Sequence, residues 1–177
     1  MKATLLTLLF TLSIFTSTTQ ARSEKKLSVG LGTYAVIVAY SDPFTLNDEF
    51  SGIAVSATYA TSNNMAFKAT YYTLENNTVE VIDNTGYDLL IYFGTGLSRT
   101  GFKAYIGGGI FTENWEDPHF NEKFNGLQIN GGIGYNWDSV SLDLTVGARE
   151  PDDYDDPEFQ DLGPTVASSS LLLSARF

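Results

Sequence analysis

Past Lys26, apolar side chains recur at every second position, the period of an extended strand with one apolar and one polar face. Eight runs carry it, near 27–40, 50–60, 65–74, 85–97, 102–112, 125–136, 139–149 and 167–177. Leu127, Ile129, Ile133 and Tyr135 alternate with Gln128, Asn130, Gly132 and Gly134, and Val140, Leu142, Leu144 and Val146 alternate with Ser141, Asp143, Thr145 and Gly147. No stretch of this region carries a 3.6-residue stripe, so the spacing predicts an all-β chain with helix content near zero. Removing a leader leaves about 155 residues, the size of one domain.

The connections alternate too. Long polar segments at 41–49, 75–84, 113–124 and 150–166 follow the first, third, fifth and seventh runs, while short turns at 61–64, 98–101 and 136–139 follow the others. In an up-and-down antiparallel sheet the odd connections lie at one end and the even ones at the other. The long connections hold 17 of the 21 acids against one base, Lys123. A soluble sandwich scatters charge along its solvent-facing strand positions, whereas these strands are nearly free of acid.

One parity of the runs holds Leu27, Val29, Leu31, Ile53, Val55, Phe67, Leu89, Ile91, Ile129, Ile133, Leu142, Leu144, Leu171 and Leu173, a face suited to lipid. The other holds Lys68, Asp88, Lys103, Gln128, Asn130, Asp143 and Arg176, which are predicted to form a polar network in a lumen. Hydrocarbon leaves no partner for a free sheet edge, so eight such strands are expected to close into an antiparallel up-and-down transmembrane β-barrel. Eight strands enclose room only for side chains. Charges there should pair, with Asp143 and Arg176 as the best pair and Lys103 as a third member. Two aromatic girdles are expected at the membrane interfaces, with Tyr40, Phe50, Tyr71, Tyr72 and Tyr87 at the loop end and Tyr59, Phe102, Tyr135, Trp137 and Phe177 at the turn end.

Ahead of the strands, Lys2 precedes an apolar run from Ala3 to Phe15, and Thr19 and Ala21 supply small residues before a cleavage point. Residues 1–21 therefore read as a secretory signal peptide and 22–177 as the barrel domain. At the other end Leu171, Leu173, Ala175 and Phe177 alternate and the sequence closes on the aromatic. That ending resembles the terminal recognition segment of bacterial outer-membrane barrels. The whole mature chain resembles the small eight-stranded outer-membrane barrels of Gram-negative bacteria, the opacity-type and outer membrane protein X- or W-like proteins. The resemblance implies residence in the outer membrane, contact with its lipid and lipopolysaccharide, and delivery to the barrel assembly machinery through the C-terminal strand.

Several chemistries are excluded or disfavoured. A net charge of −11 repels phosphate backbones, so no nucleic-acid partner is expected. With no Cys there is no thiol nucleophile or Cys-based metal site. The one His, His119, lies mid-loop without a Ser beside it, the wrong setting for acyl transfer, and no cofactor is implied. Gly107–Gly109 and Gly131–Gly132 fall inside strand runs with no following helix, so they read as packing devices and not as a phosphate cradle. Asp152, Asp153, Asp155, Asp156 and Glu158 form an acidic loop surface that lacks the spacing of a calcium loop, so weak, collective attraction of divalent cations is expected. The expected function is a non-enzymatic outer-membrane barrel serving surface interaction or envelope integrity. A narrow conduit for small solutes, apolar ones included, is the alternative, and a lipid-modifying enzyme the second.

Overall fold

The computed structural model describes residues 24–41, 45–77, 82–119, 121–154 and 163–177. Residues 1–21, and Asp155, Asp156 and Glu158 of the acidic loop, lie outside them, as does the side chain of Asp153. Eight strands follow one another: β1 (Leu27–Ala39), β2 (Asp48–Ala60), β3 (Met65–Asn76), β4 (Asp83–Thr95), β5 (Gly101–Glu116), β6 (Asn121–Asn136), β7 (Val140–Arg149) and β8 (Thr165–Arg176). Each pairs antiparallel with its neighbour in sequence, and β8 pairs with β1 from Ser28↔Arg176 to Ala39↔Thr165, so the sheet is a closed barrel. Among the described residues the helical content is one 3-10 turn, Asp152–Tyr154.

The two-residue period is visible in the burial. Along β3 and β8 every second residue is buried and its neighbours are exposed. Leu31 is 59% exposed, Ile106 68% and Ile129 67%, and the rest of the predicted lipid face is exposed with them. An apolar belt of that kind is stable only against hydrocarbon, and closure leaves no unpaired strand edge within it.

Two predicted features change. First, β5 and β6 run about four residues further than their apolar alternation, pairing from Glu113↔Phe124 to Glu116↔Asn121. The predicted long connection 113–124 is thus mostly a tall hairpin, because inward Phe111, Glu113 and Trp115 keep the parity after outward Ile110 has given way to polar residues. Second, Phe50 and Tyr72 leave the predicted loop-end girdle: they stand on the inward parity and are fully buried in the lumen. Tyr71, Tyr87 and the turn-end aromatics Tyr59, Phe102, Tyr135, Trp137 and Phe177 face outward. The turns at 61–64 and 137–139 are as short as expected, and Gly96 in the β4–β5 turn takes φ 77°, which a side chain would strain.

Candidate functional site: the lumen and its two rims

Inward positions fill the lumen in two storeys. The loop-end storey is organised by Arg149 at the end of β7, whose side chain is 0% exposed. Its Nη1 donates to Glu113 Oε2 at 2.5 Å, and Nη2 donates to Asp88 Oδ1 at 3.2 Å and to the hydroxyls of Tyr34 and Tyr72, both at 3.0 Å. Those hydroxyls donate onward, Tyr34 to Asp88 Oδ2 at 2.6 Å and Tyr72 to Glu113 Oε2 at 3.0 Å, while the two rings stack 4.5 Å apart. The guanidinium also lies over Phe111, 4.6 Å from the ring centre. One delocalised cation thus serves two carboxylates and two phenols, a task for which a planar fork of five donors is suited.

Above this network sits an aromatic cap of Phe50, Trp115, Phe124 and Tyr154, with Trp115 4.5 Å from Phe50 and 4.8 Å from Phe124. Glu113 Oε1 accepts from Trp115 Nε1 at 3.0 Å and from the Tyr154 hydroxyl at 2.7 Å, so the cap is tied to the network beneath it. Burial, with the Glu113 carboxylate beside it, holds the Tyr154 phenol above its ordinary range and keeps it a donor.

The turn-end storey is sparser. Lys103 Nζ meets Asp143 Oδ2 at 2.7 Å, Tyr105 donates to Asp143 Oδ1 at 3.0 Å, and Ser141 donates to Oδ2 at 3.3 Å. The predicted Asp143–Arg176 pair is not formed. Asp143 stands opposite Leu172, so Arg176 lies four residues, or about 13 Å, further along the neighbouring strand. It donates instead to the carbonyls of Trp137 at 2.5 Å and Ser98 at 2.8 Å and closes the floor. Lys103 takes its place because Lys103, Gly134 and Asp143 share one rung across three strands. A Cβ on Gly134 would stand 2.7 Å from Lys103 Cε and 3.2 Å from Asp143 Oδ1, so the missing side chain clears the path between them.

The remaining predicted lumen residues, Lys68, Gln128 and Asn130, are buried on the inward parity. Arg149, Glu113, Tyr34 and Tyr72, which hold the loop-end storey together, were absent from the sequence-based set. Gly132 packs against a ring, since a Cβ there would lie 2.5 Å from the Tyr105 side chain; Gly107 does the same for Tyr92 at 2.6 Å. Within the lumen a cavity of about 30 Å³ lies in the turn-end storey and one of about 10 Å³ at mid-height. These hold a few water-sized particles at most.

At the loop-end rim Asp48, Glu49, Glu75, Asp83, Glu116, Glu122, Glu150 and Asp152 stand at strand ends or beyond them, and all but the half-buried Asp48 are exposed. His119 is exposed, and its backbone N–H donates to Asp117 Oδ1 at 2.5 Å. Among the described residues no group of three His, Asp or Glu side chains is placed to hold a metal ion. Leu171, Leu173 and Phe177 face outward, and Phe177 exchanges backbone hydrogen bonds with Leu27 at the β1–β8 seam.

No family model matches the chain, and no curated protein matches it. Solved structures do. Ail, the attachment invasion locus protein of Yersinia pestis, aligns over 88% of this chain and 100% of its own, with a TM-score of 0.56 and 14% identity. Neisserial surface protein A aligns over 85% of this chain and 95% of its own, with a TM-score of 0.58 and 14% identity. OprG of Pseudomonas aeruginosa aligns over 86% and 94%, with a TM-score of 0.50 and 11% identity. With its closed antiparallel sheet and apolar belt, the chain has the fold of the small eight-stranded transmembrane barrels of the bacterial outer membrane.

Proposed function

We propose that this outer-membrane barrel conducts nothing and catalyses nothing, and that its working surface is the acidic rim. The observation that carries the reading is the filled lumen: among the described residues the Arg149 network and the aromatic cap occupy its loop-end storey, and the cavities described within it are about 30 and 10 Å³. A conduit needs a continuous path, and a lipid-modifying enzyme needs a nucleophile within reach of a base. The one His of the chain is an exposed residue of the β5–β6 tip.

The rim then faces the medium and the short turns face the periplasm. Acids concentrated at one end set up a negative field, and lipopolysaccharide around them is anionic as well, so loosely held divalent cations bridging the two relieve the repulsion. The Ail protein has been solved in complex with a heparin analogue, sucrose octasulfate. A polysulfate is a poor match for the present rim, which calls for a cationic or cation-bridged partner in surface interaction or envelope integrity. The alternating ending Leu171, Leu173, Ala175 and Phe177 serves recognition by the barrel assembly machinery.

The test is joint. An epitope placed at position 155 should be detected on intact cells and one at position 99 only after the outer membrane is opened, while the purified protein should give no steady conductance in a planar bilayer. Reversed labelling overturns the orientation, and steady conductance overturns the filled lumen.

A further inference from the structure

The buried charges of the described lumen do not balance. Lys68, Lys103, Arg149 and Arg176 face Asp88, Glu113 and Asp143, which leaves one positive charge in excess. Arg149 engages Asp88 and Glu113, Lys103 engages Asp143, and Arg176 is satisfied by two backbone carbonyls. Lys68 is left. It stands on β3 between Thr58 and Leu90, is 8% exposed, and has neither Asp143 nor Asp88 within ion-pair distance. Its Nζ lies over the Tyr92 ring, 6.0 Å from the centre. An ammonium buried without a counter-charge is costly in so small a lumen.

Lys68 lines the cavity of about 30 Å³, and so does Lys103, two strands along on β5. Asp143 also lines it, already neutralised by Lys103, so two cations and one carboxylate face a volume suited to one or two water-sized particles. Ser28, Ser56 and Ser174 also line it, among aromatic and aliphatic side chains that include Tyr92, Tyr105 and Leu97. Gly30 lies opposite Ser56 on one side and Ser174 on the other, and a Cβ there would stand 2.3 Å from Ser174 Oγ and 3.0 Å from Ser56 Oγ. The missing side chain at Gly30 thus makes room for these two hydroxyls on the cavity wall.

We infer that the turn-end cavity is a binding site for one halide-sized monovalent anion, held by Lys68 and Lys103 and by serine hydroxyls. The ion is the counter-charge that Lys68 lacks. The site is too small for sulfate, phosphate or an organic acid, and its turn-end position puts it within reach of the periplasm rather than of the acidic rim.

The test uses the full chain extracted from the outer membrane, with the heat-induced shift in gel migration as the measure of unfolding. At equal ionic strength, chloride and bromide should raise the unfolding midpoint in a saturable way by a few degrees, and gluconate and sulfate should not. Lys68→Met should abolish the halide response, and crystals grown in bromide should show one anomalous peak between Lys68 and Lys103. Midpoints indifferent to the anion, a halide response retained in Lys68→Met, or bromide confined to the protein exterior would each overturn the site and would indicate an uncharged, water-solvated Lys68. If Lys68→Met fails to fold, the wild-type anion series and the bromide crystals decide.

Discussion

The two storeys of the lumen solve one problem in different ways. At the loop end a single Arg149 is surrounded by two carboxylates, two hydroxyls and a ring, and the aromatic cap closes over it. At the turn end the larger cavity is faced by two lysines, of which one has a carboxylate partner, while Arg176 rests on backbone carbonyls at the floor. Guanidinium geometry explains the contrast. A flat fork can satisfy several acceptors at once and fills its storey, whereas an ammonium is a point charge that engages one partner well and leaves space around it. The loop-end storey is filled by its own hydrogen bonds and rings, while the turn-end storey keeps room for a small guest.

The most severe way to break the contrast is Arg149→Leu. It strands Glu113 and Asp88 in a dry interior, and removing one partner of such a network costs about 3–5 kcal/mol. The folded fraction, read by heat-dependent gel migration, should fall sharply, and a variant as stable as the parent would show that the network is ornamental. Asp143→Ala should cost less, about 2–3 kcal/mol, because the adjoining cavity can admit water to Lys103. Adding Lys103→Met should recover part of that loss and adding Arg176→Ala should not; the opposite result in a double-mutant cycle would contradict the observed pairing. Smallest is Gly132→Ala, which pushes a methyl group against the Tyr105 ring at about 1–3 kcal/mol. Its unfolding midpoint should fall while Gly131→Ala, whose added Cβ would meet only the Tyr105 carbonyl oxygen at 3.8 Å, changes it little.

Much of this molecule is legible from alternation alone, because in a closed barrel parity decides everything about a side chain: lipid on one side, lumen on the other. Leu171 and Leu173 could be assigned outward, and Lys68, Asp88 and Asp143 inward, without any knowledge of partners. Partners are another matter. Choosing between Arg176 and Lys103 for Asp143 requires the register of two strand pairs, and composition does not encode register once both candidates share a parity. Glu113 was hidden for a different reason. Counted among loop acids, it lies on a hairpin whose outward face is polar above the apolar belt, so the change of composition marks the membrane boundary and not the strand end. The continuing alternation of Phe111, Glu113 and Trp115 is the signal that identifies it. Tyr34 and Tyr72 carry no such signal, since an inward tyrosine and a girdle tyrosine differ by one position in a chain where both kinds abound.

The seam between β1 and β8 has a consequence for the order of events. The outer edge of β1 is satisfied by residues 165–176, some 140 positions away in sequence. Until that last strand arrives, twelve residues of β1 present an open ladder of hydrogen-bonding groups beside an apolar face, the form of edge most given to pairing with a stranger. Closure of this ring is therefore the most non-local step the chain can take, and non-local pairing is slow. The interval between synthesis of β1 and docking of β8 is when the protein most needs an escort, and the Phe177 backbone, bonded both ways to Leu27, is the clasp that ends it.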